Sequence, residues 1–219
     1  GYNDVKEMFL SALRAKTPVH FLMVGPPATA KSLFLEELSR IPGSTFVVAG
    51  TTTGPGLRDL LLEQKPHILL IDELDKVRST QDISVLLTLM ERQVLYVTTV
   101  RHGRQVVHLP CRVFAATNKT ERIPPELLSR FVVLNFKPYT DGELKRVMVK
   151  VLTEREYCEA GMARYIAEKL IAEGFRDPRD AVKAARLARA KGGGEVTEEI
   201  VNAVIGFMKK YRPGRGFTP

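Results

Sequence analysis

The stretch GPPATAKS, residues 25–32, ends in a lysine followed by a hydroxyl side chain. It matches the phosphate-loop pattern G-x-x-x-x-G-K-[ST], except that Ala30 stands where the second glycine is expected. Such a loop turns sharply between a strand and a helix, so that successive backbone N–H groups and the helix N-terminus aim at one spot. The chemistry is anion binding. Gly25, Pro26, Pro27, Ala28, Thr29, Ala30 and Leu33 supply the cradle and the helix start. Lys31 reaches the β- and γ-phosphates of a nucleotide, and the Ser32 hydroxyl holds Mg²⁺. Alone, the loop is ambiguous between a nucleotide site and a helix that happens to begin AKS. A second constellation decides. HILLIDE is an apolar run ending in two adjacent carboxylates, Asp72 and Glu73. The first can hold the magnesium shell and the second can polarise an attacking water.

These residues need a scaffold that brings them to one edge. VHFLMVG (19–25) is a continuous apolar run ending at glycine, which predicts a strand buried on both faces. KSLFLEELSR then reads as a helix. The alternation continues: STFVVAG strand, GLRDLLLEQ helix, HILLIDE strand, ISVLLTLMERQ helix, then RVFAATN and VVLNF as strands. Strands alternating with helices predict an α/β fold with a five-stranded parallel sheet covered on both faces. Open sheets of this kind bind ligands at the carboxyl ends of their strands, where the loop and the acid pair both fall. Ahead of the first strand, Val5, Met8, Phe9, Ala12 and Leu13 fit one face of a helix. VLYVTTVRHGRQVVHLP has two β-rich arms around RHGR, a hairpin over about 94–109 with Gly103 at the turn and Arg101 and Arg104 beside it.

After Lys137-Pro138 only helices are predicted. Thr140 and Glu143 form a capping box, a second helix covers about 162–173, and Asp177-Pro178 starts a third. GGG (192–194) breaks the chain, and a fourth helix carries Ile200, Ala203, Val204, Phe207, Met208 and Tyr211 on one face. The expected division is an α/β core over 1–138, a four-helix domain over 139–211 and a tail over 212–219.

Composition narrows the class. The chain has 219 residues, 44% of them hydrophobic and 26% charged, as in a globular protein with a real core. No apolar run approaches a membrane span, and no signal-peptide pattern is present, which points to the cytoplasm. The chain opens without Met and reads as a piece of a longer protein. Two cysteines, Cys111 and Cys158, and four dispersed histidines give neither a disulfide framework nor metal-ligand spacing. A net charge of +8 favours a nucleic-acid partner.

Together the motifs resemble those of the AAA+ ATPases. GPPATAKS is similar to the GPPGTAKS loops of the MoxR group and to related MCM loops, where alanine commonly precedes the lysine; Ala28 is the departure. RVFAATN resembles the sensor 1 strand, which implies that Asn118 orients water beside Glu73. PELLSRF resembles the arginine-finger segment, which implies that Arg130 reaches the nucleotide of a neighbouring subunit. DPRDAVKAARLA resembles the lid helix bearing sensor 2, which implies that Arg179 is aimed across the domain junction at the phosphates. Glu91, Arg112 and Arg122 are further candidates for the subunit contact. A hairpin before sensor 1 resembles the insertion shared by RuvB, MCM, MoxR and Lon relatives. RQVVHLPCRVFAATN, PPELLSRF, YTDGELKRVM and DPR have counterparts in the same order in RuvB, the branch-migration motors, and the likeness runs from Val19 to Met208. RuvB usually has threonine at sensor 1, where Asn118 stands here, and continues into a winged-helix domain.

The resemblance implies an AAA+ P-loop core with a helical lid, ATP or ADP with Mg²⁺, ATP hydrolysis and a homo-oligomer, by expectation a hexamer. It also implies action on DNA, with Arg101 and Arg104 as phosphate contacts. Two other readings stay open: a MoxR-type protein-remodelling ATPase, and a nucleotide-binding scaffold whose loop has decayed at Ala28 and Ala30. Lys31, Ser32, Asp72, Glu73, Asn118 and Arg130 together oppose the scaffold.

Overall fold

The computed structural model describes residues 2–49, 54–77, 79–99 and 103–212. The chain divides into two compact units, Gly1–Lys137 and Pro138–Pro219. In the first, α1 (Asn3–Arg14) is followed by β1 (Phe21–Val24), α2 (Lys31–Leu38), β2 (Ser44–Val48), α3 (Gly54–Gln64), β3 (Ile68–Asp72) and a 3₁₀ turn (Leu74–Lys76). Then come α4 (Thr80–Arg92), β4 (Val94–Thr99), β5 (Gly103–His108), β6 (Arg112–Thr117), α5 (Pro125–Leu128) and β7 (Val132–Asn135). Five strands form the expected parallel sheet in the order β2-β3-β6-β1-β7.

The three inner strands are the continuous apolar runs, because each has a layer on both faces. Leu22, Leu69, Ile71, Val113 and Ala115 pack on one face with Leu57 and Leu61 of α3 and Leu86 and Leu89 of α4. Phe21, Met23, Leu70, Phe114 and Ala116 pack on the other with Phe9 and Ala12 of α1 and Leu35 and Leu38 of α2. Phe9 lies 5.0 Å, centroid to centroid, from both Phe21 and Phe114. Met8, expected on the buried face of α1, is exposed.

β4 and β5 pair antiparallel from Val94↔His108 to Thr99↔Gly103, and Leu95 and Val107 join the core beside α4. Of the two tip arginines, Arg101 lies outside the described residues. Arg104 is placed only by its register in β5, opposite Thr98.

His20 is a buried tie in this unit. Its Nδ1 accepts the Val113 N–H at 3.0 Å, and its Nε2 lies 3.2 Å from the Met90 carbonyl, to which it donates. That arrangement requires the neutral ring, since protonation would set N–H against N–H. Burial accordingly lowers the His20 pKa, and the nearby Arg112 charge lowers it further, although the Met90 bond acts the other way. The unfolded chain therefore takes up a proton first, near the ordinary histidine value of about 6.5. Stability should be full above that pH and fall as the pH drops from there toward the native pKa. Thermal melts from neutral pH down to about pH 5 should show this slope in the wild type and a flatter one in His20→Gln. Equal slopes would remove His20 as the cause.

The second unit holds α6 (Asp141–Glu154), α7 (Ala160–Ala172), α8 (Pro178–Lys191) and α9 (Glu198–Lys210). Both sides of the Thr140–Glu143 capping box are formed, and Asp177 caps α8 with Pro178 in its first turn. The buried stripe of α8 is Ala181, Ala184, Ala185 and Ala188, small enough for its neighbours to approach closely. Buried Glu156 takes a two-point ion pair from Arg186 at 2.7 and 3.0 Å, which lowers its pKa. The buried face of α9 is Val201, Val204 and Ile205, with Ile200 and Met208 packed against the same core; of the expected face, Ala203, Phe207 and Tyr211 are instead exposed. Residues 213–219 lie outside the described set.

Candidate active site

Three neighbouring strands, β3, β6 and β1, deliver the predicted residues to one sheet edge. Ile71, Ala115 and Leu22 share a register row. The rows beyond it lead to Asp72, the last residue of β3, and Glu73 after it, to Thr117 at the end of β6 and Asn118 after it, and to the loop 25–30 after β1.

Gly25 is required by a close approach. A Cβ built there would stand 2.4 Å from the Phe136 carbonyl oxygen. Its N–H donates to the Thr117 carbonyl at 3.3 Å. Ala28 and Ala30 both have left-handed backbone, with φ of 67° and 62°. Such a conformation costs an L-residue about 1–2 kcal/mol. The strain falls on Ala28, the departure from the related loops, and on Ala30 alike.

Lys31 opens α2 and is only 6% exposed. Its ammonium donates to the carbonyls of Gly25 (2.7 Å) and Pro26 (2.8 Å) and to Thr29 Oγ1 (3.2 Å). The Thr29 hydroxyl donates to the same Pro26 carbonyl at 2.8 Å. The loop thus folds around the lysine nitrogen. Ser32 Oγ donates to Asp72 Oδ2 at 2.9 Å, which joins the loop to the acid pair.

Glu73 also has left-handed backbone (φ 57°). Its N–H donates to Asp72 Oδ1 at 2.9 Å, and its carboxylate pairs with Lys76 Nζ at 2.8 Å. The hydrogen bond and charge of Glu73 raise the Lys76 pKa. Asn118 is exposed immediately beyond β6. Thr117, its neighbour, is buried and bonded to Asp75 Oδ1 at 2.6 Å.

Arg130 follows α5, and its guanidinium pairs with Glu91 of α4 at 3.0 Å, both partly exposed. Arg122 is exposed in the turn after β6. Arg112 is differently employed. Its guanidinium bonds the Ala12 carbonyl at 2.9 Å and also the Ala15 carbonyl, capping the C-terminus of α1. Arg179 belongs to the second unit, where its guanidinium lies on Asp177 at 2.9–3.1 Å.

Sequence reasoning missed Asp75, Lys76 and Thr117. A signal for two of them was visible, since DELDK (72–76) packs three carboxylates and an ammonium into five residues.

The donor set fits a magnesium nucleotide. Among the described residues no cluster of three His, Cys, Asp or Glu could hold a metal. Mg²⁺ bound with a nucleotide needs fewer protein ligands, because phosphate oxygens and water complete its octahedron. A hydroxyl and a carboxylate 2.9 Å apart, beside a lysine and a helix N-terminus, supply the hard oxygens and the positive field.

Comparison with known proteins bears on the assignment. The chain is 28% identical to the ATP-dependent zinc metalloprotease FtsH 4 of Synechocystis, over 92% of its own length and 36% of that protein. It is 27% identical to the minichromosome maintenance protein MCM of Saccharolobus solfataricus, over 70% of itself and 28% of that protein. The chain therefore spans about a third or less of the curated relatives it matches. A solved structure of Thermotoga maritima RuvB superposes with a TM-score of 0.69 at 20% identity, over 95% of this chain and 70% of that one. That likeness establishes the AAA+ P-loop fold. The model of the ATPase family associated with various cellular activities (AAA) matches residues 21–139, more than half of the chain, and the chain belongs to that family.

Proposed function

We propose that this chain is the motor portion of a homo-oligomeric, Mg²⁺-dependent ATPase that acts on DNA. The observation that carries the ATPase reading is the junction of Ser32 with Asp72 at the sheet edge that also bears Lys31, Glu73 and Asn118. Lys31 and the loop N–H groups would neutralise the β- and γ-phosphates. Ser32 and Asp72 would hold the magnesium ion, which supplies charge neutralisation and orientation when bound. Glu73 accepts a proton from the attacking water, and Asn118 orients that water. Arg130, carried on an exposed turn, is suited to a nucleotide on an adjoining subunit. Such fingers make hydrolysis depend on assembly, which supports a ring or spiral, with a hexamer as the expected form.

Support for DNA comes from the net charge of +8 and from a hairpin whose tip sequence is RHGR. The FtsH likeness favours a second reading, a protein-remodelling ATPase. Phosphate release from Mg-ATP, measured with and without duplex DNA, separates them. DNA should stimulate turnover. Replacing both Arg101 and Arg104 by Ala should abolish the stimulation and lower the salt slope of DNA binding by up to about 2 units. Stimulation by an unfolded protein and by no nucleic acid would select the second reading. Absence of any Mg-dependent hydrolysis by the assembled protein would reject both. No helix among the described residues is long and apolar enough to cross a membrane.

A further inference from the structure

Resting on the ATPase reading but going beyond it, we infer that Thr117 and Asp75 are positioning residues, a buried latch that sets Asn118 and Glu73 relative to the phosphate loop. Thr117 ends β6 and is 1% exposed. Three segments meet on it. Its carbonyl accepts the N–H of Gly25, the first residue of the loop, at 3.3 Å. Its Oγ1 is 2.6 Å from Asp75 Oδ1, on the turn that begins at Glu73. The same Oγ1 accepts the Lys119 N–H at 3.3 Å and lies 2.7 Å from the Lys119 carbonyl.

One hydroxyl has one proton, so it cannot serve Asp75 and the Lys119 carbonyl together. The carboxylate is the stronger acceptor, and the bond to it is charge-assisted. Asn118 is then bracketed: the residue before it is locked to the Glu73 turn, and the residue after it is bonded to the same hydroxyl. The side chain between them is exposed and projects from two fixed points. A strand end needs no such arrangement for its own satisfaction, since a hydroxyl there can bond the backbone alone. Choosing a carboxylate two residues from Glu73 ties the water-orienting group to the water-activating one.

Reaction geometry is far more sensitive than stability to such a tie, because a misplacement of 1 Å can cost about 10²-fold in rate. Thr117→Val keeps shape and burial but removes the hydroxyl. It should lower kcat by about 10- to 100-fold while Kd for Mg-ADP stays at the wild-type value. Thr117→Ser should restore kcat. Asp75→Ala, which removes the acceptor at the partly exposed end of the latch, should lose kcat in the same way and guards against a folding defect in the buried variant. Thr117→Val combined with Asn118→Ala should be no slower than Asn118→Ala alone, since the latch acts through Asn118.

Wild-type kcat in both Thr117→Val and Asp75→Ala would overturn the inference. So would additive losses in the double variant, or a fall in kcat that tracks weakened Mg-ADP binding and a lowered melting midpoint. A Glu73→Gln control separates the two levels. If that control is inactive while Thr117→Val is fully active, only the latch fails; if the control itself turns over normally, the site reading fails.

Discussion

Glu73→Gln should bind Mg-ATP as tightly as the wild type and lose about 10²–10⁴ of its turnover, the usual contribution of a positioned general base. The contacts that remain explain why binding survives. Lys31 keeps its loop carbonyls, and Ser32 keeps Asp72. The bond from residue 73 to Asp72 comes from the backbone N–H and does not depend on the side chain. The substitution does remove the ion pair with Lys76, but that pair is solvent-exposed on both sides and contributes little to folding. Folding should therefore be unchanged, and the loss should appear in single-turnover hydrolysis. Wild-type single-turnover rates in Glu73→Gln would remove Glu73 from the mechanism.

Arg130→Ala should be the more severe lesion, about 10³–10⁵ in turnover, because the positive charge that meets the transition state would be gone. It should also act on the wrong subunit. The variant's own loop is intact, so it binds ATP; its neighbour fails to hydrolyse. Titrating Arg130→Ala into wild-type protein should depress activity more steeply than dilution, and wild-type activity per subunit should rise with concentration until assembly saturates. In the isolated chain the guanidinium rests on Glu91 at 3.0 Å. With both partners partly exposed, that pair is weak enough to be exchanged for a phosphate. Full activity per subunit in a demonstrably monomeric sample would contradict a finger acting between subunits.

Much of the site was legible because its parts are local. A loop between a buried strand and a helix, and an acid pair at a strand end, are each written in fewer than ten consecutive residues. The parallel sheet was legible for a related reason: β1, β3 and β6 are covered on both sides, so their burial leaves unbroken apolar runs. The contacts that tune the site were not legible. Thr117 and Asp75 are 42 residues apart, and Arg130 and Glu91 are 39 apart, so only the fold brings them together. The α9 face was only partly legible, because Phe207 and Tyr211 extend the stripe of Ile200, Val204 and Met208, while Val201 and Ile205 lie beside it. Hydropathy alone cannot say which stripe finds a neighbour. The tie from Arg112 to the end of α1 was not legible, because its partners are backbone carbonyls that any sequence would supply.

The loop's two left-handed alanines also bear on conformational freedom. Glycine at positions 28 and 30 would relieve the local energy but widen the set of shapes the loop can visit. Methyl groups at those positions, together with the fixed φ of Pro26 and Pro27, leave few alternatives. The loop therefore surrenders little disorder when it closes on a triphosphate, and a preorganised receptor keeps more of its contact energy as affinity. In this chain the residues that strain the loop also restrict it, so a nucleotide would meet a loop with few alternative shapes.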